Sequence, residues 1–391
     1  MLPKPPNSIA TLLARPVAVL GAGVSGEGVL GLLGAIGATG AIYDERAEKA
    51  THAFTPEMAA THGLVVYSPG FTTGHPWLAV ARGAGCVCLG ELDFASLFWR
   101  GELVAITGTN GKTSLTEFLV HALTTVGRPA HVAGNIGYPL SRLVVEQAGK
   151  PLIAICEVSS FQAETLQYLR PAATLWTNFA EDHLERHLSM AAYFKAKCRL
   201  LERTMPGGAF IGSSVQRYTL SSGQVLPPAS ALPTEDQPAD IRLGGTVFSN
   251  YPQRENFILA AAWWRQAGLP MAALYEAAHS FKIGDHRLGR LGTKNGVAFW
   301  NDSKATNFHA VEAALGTFGS PVLWIGGGKA KGGDLAGFVH RIARKVRHAF
   351  LIGETQADLL AHCAAVKVPA TACSSLAEAV REACAKAAPG D

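Results

Sequence analysis

The 391-residue sequence has no long apolar segment, no block of lysine or arginine, and no pair of cysteines in Cys-x-x-Cys spacing. Without the first, and with Lys4 among prolines near the start, neither membrane insertion nor export is expected. Without the second, the net charge of +4 is spread along the chain and leaves no footprint for nucleic acid or an anionic membrane, while acidic small molecules remain as partners. The seven cysteines, Cys86, Cys88, Cys156, Cys198, Cys363, Cys373 and Cys384, are odd in number, lack zinc spacing and lie partly within apolar runs. That usage reads as reduced core cysteine in a cytoplasmic protein. Charged residues are few, 16% against 48% hydrophobic, so a sizeable core can be buried and disorder is excluded. The length suggests about two or three domains.

What is present begins with Ile106-Thr107-Gly108-Thr109-Asn110-Gly111-Lys112-Thr113. A short apolar strand, Val104-Ala105-Ile106, precedes it, and Leu115, Phe118, Leu119, Ala122 and Leu123 recur behind it on one helix face. A glycine-rich turn between strand and helix directs backbone N–H groups at phosphate oxygens. Lys112 would neutralise the outer phosphates, and the Thr113 hydroxyl is placed for Mg²⁺. Ile106 stands where the usual pattern has its first glycine, so this is a shortened variant.

The expected fold class is α/β, in three blocks of roughly 1–97, 98–283 and 284–391. In the first, Val17-Ala18-Val19-Leu20 feeds Gly21-Ala22-Gly23-Val24-Ser25-Gly26, and an apolar helix leads to a strand ending at Tyr43-Asp44. That unit suits NAD or any other ligand with a diphosphate and a ribose. Ser68-Pro69-Gly70, after Leu64-Val65-Val66-Tyr67, reads by itself as a connection. In the second block, Glu157 closes the strand Leu152 to Glu157, where an open sheet meets its ligand, and can share Mg²⁺ with Thr113. His183 and His187 are spaced like metal ligands on one helix face, or belong to a solvated charged turn. From Pro206 to Gly245 the chain is rich in Gly, Ser and Pro without a clear helical period, so irregular strands or loops are expected. The third block returns to βαβ texture. Its first strand, Val297 to Trp300, ends in the polar run Asn301-Asp302-Ser303-Lys304-Ala305-Thr306-Asn307, placed as α/β ligand sites are.

Thr107 to Thr113, Gly134-Asn135-Ile136-Gly137, Glu157-Val158-Ser159-Ser160-Phe161-Gln162, Glu181-Asp182-His183, Glu255-Asn256 and Asp285-His286-Arg287 occur in an order that resembles the ATP-dependent Mur ligases over nearly the whole chain. The run Asn301 to Asn307 resembles the branch that adds glutamate. The resemblance implies a Rossmann-like N-terminal domain for a UDP-substrate, a central P-loop ATPase-type domain and a C-terminal Rossmann-like domain. It also implies a cytoplasmic enzyme of peptidoglycan precursor synthesis, acting as a monomer. ATP would convert the terminal carboxylate of UDP-N-acetylmuramoyl-L-alanine into an acyl phosphate, from which the glutamate amine displaces phosphate.

By the same resemblance, Gly108, Thr109, Asn110, Gly111, Lys112 and Thr113 hold the triphosphate, with Asn256, Arg287 and Asp302 as further ATP contacts. Glu157 and Thr113 share one Mg²⁺, and His183 binds a second. Lys197 matches a lysine that the family carbamylates, which would turn a cation into an anion able to ligate metal; without the resemblance it reads as an ordinary surface lysine. Ser25, Gly26, Asp44, Arg46, Ser68 and Asn135 fall at UDP-substrate positions, and Lys304 and Lys331 at glutamate positions. In the family, the helix matching Leu376 to Ala387 leads into a further strand and a loop over glutamate. This chain stops at Pro389-Gly390-Asp391, so a sequence cut short of its last part is expected. Two competing readings are an NAD-dependent oxidoreductase, which would leave Lys112-Thr113 and the Asn301 to Asn307 run idle, and a nucleotide-sugar or ATP-binding protein without turnover, against which Lys112, Glu157, His183 and Lys197 speak.

Overall fold

The computed structural model describes residues 4–329 and 332–391. Four parallel strands come first: β1 (Val17–Leu20), β2 (Gly40–Tyr43), β3 (Leu64–Tyr67) and β4 (Val87–Gly90), in the order β2-β1-β3-β4. Six follow, β5 (Leu103–Thr107), β6 (Ala130–Gly134), β7 (Ile153–Glu157), β8 (Ala173–Trp176), β9 (Ala209–Ile211) and β10 (Ser230–Ala231), all parallel in the order β10-β9-β8-β5-β7-β6. Both β1 and β5 are buried along their whole length, as strands covered by helices on two faces must be. In each sheet the chain goes first to one flank of this strand and later to the other. The order therefore reverses at β1 and at β5, and a crevice opens beyond their carboxyl ends.

The last sheet is β13 (Val322–Gly327), β14 (Val346–Ile352) and β15 (Ala370–Ala372), again parallel. The strand expected to begin that sheet does not join it. β12 (Val297–Asn301) pairs antiparallel with β11 (Gly289–Lys294), and Asn295-Gly296 between them both take positive φ, 53° and 77°. Asn-Gly between two short strands is a hairpin signal, and that local chemistry overrode the expected βαβ unit, although β11, Gly-Arg-Leu-Gly-Thr-Lys, is mostly polar. A second difference lies between Pro206 and Gly245, where a helix, Ser213–Ser222, stands among the short strands. It buries only Val215, so its apolar stripe is too narrow to show as a period.

The chain groups into two compact units. One comprises Met1–Asn178, Phe194–Gln237 and Asn256–Ser280; the other Phe179–Tyr193, Pro238–Glu255 and Phe281–Asp391. The four- and six-stranded sheets thus lie in one unit, and a single apolar cluster runs from Val17, Val19 and Leu33 to Leu103, Ala133, Leu143 and Cys156. Gly28 makes this close packing possible, since a Cβ there would fall 2.5 Å from Ser141 Oγ. Polar bonds reinforce it. On the short helix Glu91–Ser96, buried Glu91 accepts from the N–H and hydroxyl of Ser141, and Asp93 accepts from the N–H groups of Gln167, Tyr168 and Leu169. The second unit has its own core of Phe338, Val339, Ile342, Leu351 and Leu359 about the three-stranded sheet.

Candidate active site

Beyond β5 the chain turns at Gly108, whose φ of 147° and position leave no room for a side chain: a Cβ would meet Thr177 Oγ1 at 1.9 Å. Gly111 begins the helix Lys112–Thr125 in a left-handed conformation. Leu115, Phe118, Leu119, Ala122 and Leu123 are all buried on that helix, as their spacing predicts. The loop is braced from outside. Thr177 donates its hydroxyl to Asn110 O at 2.7 Å, and Asn178 both accepts from the Asn110 N–H at 2.9 Å and donates to Asn110 O at 3.1 Å. Asn256, buried on the helix Gln253–Gln266, donates to Gly111 O at 3.3 Å. Lys112 donates its ammonium to Gly108 O and Thr109 O at 2.9 and 2.7 Å, which places the charge over the loop.

At the end of β7, Glu157 is buried with both carboxylate oxygens engaged. Thr113 donates its hydroxyl to one at 2.7 Å, and Asn135 its amide to the other at 3.2 Å. The Asn135 N–H also donates to Glu157 O at 2.8 Å, so the Gly134–Gly137 turn is fastened to this strand. A hydroxyl beside a buried carboxylate at a phosphate-type loop is a hard oxygen donor set that suits Mg²⁺.

Lys197, on the helix Met190–Arg203, is 1% exposed rather than on the surface. Its Nζ donates to Gly108 O at 2.9 Å and Thr107 Oγ1 at 3.3 Å, so its nitrogen lies under the same loop. Two cysteines flank these residues in sequence. Burial pushes the Cys198 thiol up to about 12 and the Cys156 thiol higher still, so neither is a thiolate nucleophile.

The loop after β1 is built differently. Gly26 packs its helix against the turn, where a Cβ would meet Gly21 O at 1.9 Å. Asp44 accepts from the Ala22 N–H at 2.8 Å and from the N–H groups of Arg46 and Ala47 at 2.9 and 3.0 Å. These bonds, the one from Ala22 foremost, hold its carboxyl below the ordinary aspartate range. Asp44 therefore closes the loop. Ser25 is half-buried and the Arg46 side chain exposed. Ser68 Oγ is buried with no hydrogen-bond partner among the described residues and lies against Gly21, where a Cβ would meet it at 2.7 Å.

The remaining candidates belong to the second unit. His183 and His187 do not share a helix face. His183 precedes the turn Leu184–His187 in a left-handed conformation, and buried His187 packs on the Tyr193 ring at 5.2 Å. Asp302 accepts from the Leu288 N–H at 2.8 Å, and burial raises its carboxyl against that bond and the charge of Arg287. Arg287 is half-buried and Lys304 exposed. Much of the polar run serves local structure: Asn301 accepts from the Ser303 N–H, and Asn307 caps the helix Phe308–Gly316. Lys331 lies outside the described residues.

Sequence reasoning gave no role to Thr177, Asn178, Glu91 or Asp93. A signal existed for the first pair, since Thr177-Asn178 follow buried β8 as Gly108-Thr109 follow β5. For the acids there was none, because their partners, the Ser141 N–H and hydroxyl for Glu91 and three N–H groups for Asp93, lie far along the chain.

Residues 106–221 match the family model of the Mur ligase middle domain, and 286–391 that of the Mur ligase glutamate ligase domain. A UDP-N-acetylmuramoylalanine–D-glutamate ligase of Chlamydia pneumoniae is 33% identical over 341 residues, covering 84% of this chain and 77% of the relative. One of Solibacter usitatus is 35% identical over 356 residues, 86% of this chain and 80% of its own. Among solved structures, UDP-N-acetylmuramate-alanine ligase MurC from Thermotoga maritima superposes with a TM-score of 0.58 at 15% identity, covering 93% of this chain and 91% of that one. MurF from Acinetobacter baumannii gives 0.59 at 14%, covering 83% and 84%. At such identities the two structures speak for the fold alone.

Proposed function

The chain belongs to the Mur ligase family, among the UDP-N-acetylmuramoylalanine–D-glutamate ligases, and from that premise we propose that it joins D-glutamate to UDP-N-acetylmuramoyl-L-alanine at the expense of ATP. One observation carries the reading. Lys112, Thr113 and Glu157 converge at the carboxyl ends of β5 and β7, with the Thr113 hydroxyl on the Glu157 carboxylate. A carboxylate is a poor electrophile, so one oxygen of the substrate's terminal carboxylate first attacks the γ-phosphorus of ATP, with ADP leaving. The amine of glutamate then attacks the acyl carbon, phosphate departs, and the amine gives up a proton as the amide forms. This chain contributes positioning and charge: loop N–H groups and Lys112 hold the phosphates and offset the charge that develops on them. Thr113 and Glu157 would hold Mg²⁺, which when bound supplies further charge neutralisation.

The finer assignments are parts of the same proposal. His183 holds a second Mg²⁺; Asn256, Arg287 and Asp302 bind ATP; Ser25, Gly26, Ser68 and Asn135 bind the UDP-substrate; Lys304 and Lys331 take glutamate. Asp44 and Arg46 border the UDP site. Three functional blocks, 1–97, 98–283 and 284–391, carry these sites, and the protein works in the cytoplasm as a monomer. Among the described residues no helix is long and apolar enough to cross a membrane. Lys197 acts as a carbamate formed by CO₂ addition to its neutral amine, with release of a proton. Its burial under the phosphate loop supports this reading, because an amine there is shielded from water and faces the carbonyl and hydroxyl of Gly108 and Thr107.

Phosphate release tests the function. It should require ATP, UDP-N-acetylmuramoyl-L-alanine and D-glutamate together; release with L-glutamate at the same rate, or without the nucleotide sugar, would refute the assignment. For Lys197, the alanine variant should be nearly inactive and partly restored by formate or acetate, and full activity of that variant in bicarbonate-free buffer would exclude the carbamate.

A further inference from the structure

Two bonds of Asn307 make different demands on its side chain. Its Oδ1 accepts from the Ala310 N–H at 2.9 Å and caps the helix Phe308–Gly316; its Nδ2 donates to Asp182 Oδ2 at 2.9 Å, 125 residues away. A cap alone would be served as well by Asp, Ser or Thr. Among these cap residues, only the carboxamide carries its acceptor and its donor on separate atoms of one planar group, whereas a carboxylate cannot donate and a hydroxyl has a single oxygen for both. The partner, Asp182, has a side chain 9% exposed and uses its other oxygen to accept from the His183 N–H at 3.0 Å. His183 in turn stands at φ 56°, ψ 29°, a conformation that costs a residue with a Cβ and persists only where its surroundings impose it. Its ring lies between two carboxylates, Nε2 3.7 Å from Asp182 and Nδ1 3.6 Å from Glu185.

We propose that Asn307 is a positioning residue for His183. Through Asp182 it fixes the left-handed backbone and the ring direction of that histidine, so the helix Phe308–Gly316 and the metal-binding turn are set as one piece. The part concerning metal rests on the reading of His183 as a Mg²⁺ ligand; the part concerning geometry does not. Neither the glutamate-adding polar run nor the helix cap explains why the amide nitrogen meets a carboxylate so far away in sequence, whereas a positioned histidine does.

Two variants separate this from a plain cap. Asn307→Asp keeps an acceptor for the Ala310 N–H but sets a carboxylate against Asp182. The reversed pair, Asp182→Asn with Asn307→Asp, restores one donor and one acceptor at the junction and leaves an amide oxygen for the His183 N–H. In metal-free protein, the His183 backbone amide resonance and its φ-dependent coupling should change in Asn307→Asp and return in the reversed pair. Mn²⁺ titration, followed by broadening of the His183 ring signal, should show affinity lowered by roughly tenfold or more in the single variant, the usual effect of losing a group that orients a ligand, and recovered in the pair. Unchanged His183 resonances in Asn307→Asp, or a reversed pair no better than the single variant, would overturn the proposal. Were the wild type to bind Mn²⁺ without broadening His183, the metal reading alone would fall, and the metal-free coupling would still decide the positioning role.

Discussion

The compact unit that carries both large sheets has two glycine-rich loops in equivalent places, Gly21 to Gly26 beyond β1 and Gly108 to Thr113 beyond β5. Each follows a fully buried strand and opens a helix, so each presents backbone N–H groups to an anion. They differ in what holds them. The second loop carries Lys112 and is braced by Thr177, Asn178 and Asn256. The first has no cation of its own, is closed by Asp44, and, among the described residues, leaves Ser68 Oγ unpartnered beside Gly21. If the first loop binds the diphosphate of the UDP-substrate, as proposed, it can leave such a group for the ligand to satisfy. A loop that must act on a developing charge needs its donors fixed in advance, because reorganisation during the reaction would forfeit their effect.

The largest expected effect breaks the charged loop. Lys112→Ala should lower turnover by about 10² or more with little change in thermal stability; near-normal phosphate release in that variant would contradict its role. Next comes the brace. Thr177→Val removes a hydroxyl that donates to Asn110 O, and should cost about 1 kcal/mol in urea unfolding and roughly tenfold or more in turnover, since small misplacements of a reacting phosphate are costly. Stability lost at full activity would show that the brace serves folding only.

Ser68→Ala sharpens the contrast, because it removes no intramolecular bond. The thermal midpoint should hold, while KM for the nucleotide sugar rises by roughly threefold to tenfold, the value of one hydrogen bond, and KM for ATP stays. A rise in the ATP value instead would move Ser68 out of the first loop's site.

The smallest effect tests whether the two regions are one body. Burial holds the Glu91 carboxyl above the ordinary glutamate range, against the two bonds from Ser141. The native state thus keeps a proton that the unfolded chain has lost. Stability from Glu91 is complete below the unfolded pKa and is lost as pH rises through the higher native value. Relative to Glu91→Gln, which stays neutral, the wild type should therefore lose ground as pH rises from the glutamate range towards neutrality. A difference in urea midpoint that is flat with pH would remove Glu91 from that role.

Sequence alone determined the parallel α/β texture, the strand-loop-helix at Lys112, the glutamate closing β7 and the family. These are local: a buried strand, a glycine turn and an apolar helix face each report themselves within about fifteen residues, through backbone sterics and side-chain periodicity. It also contained, unread, the Asn295-Gly296 turn that makes β12 half of a hairpin. Tertiary structure decided what local pattern does not encode. It placed Lys197 in the interior, engaged Asp44 with the Ala22 N–H, gave Thr177 and Asn178 to the phosphate loop, and joined Asn307 to Asp182. In each case a polar side chain finds its partner across tens of residues, and, except for Thr177-Asn178 after β8, nothing near it in the sequence marks that partner. Such bonds are chosen by the accounting of buried donors and acceptors once the sheets have assembled, which is why they appear only in the folded chain.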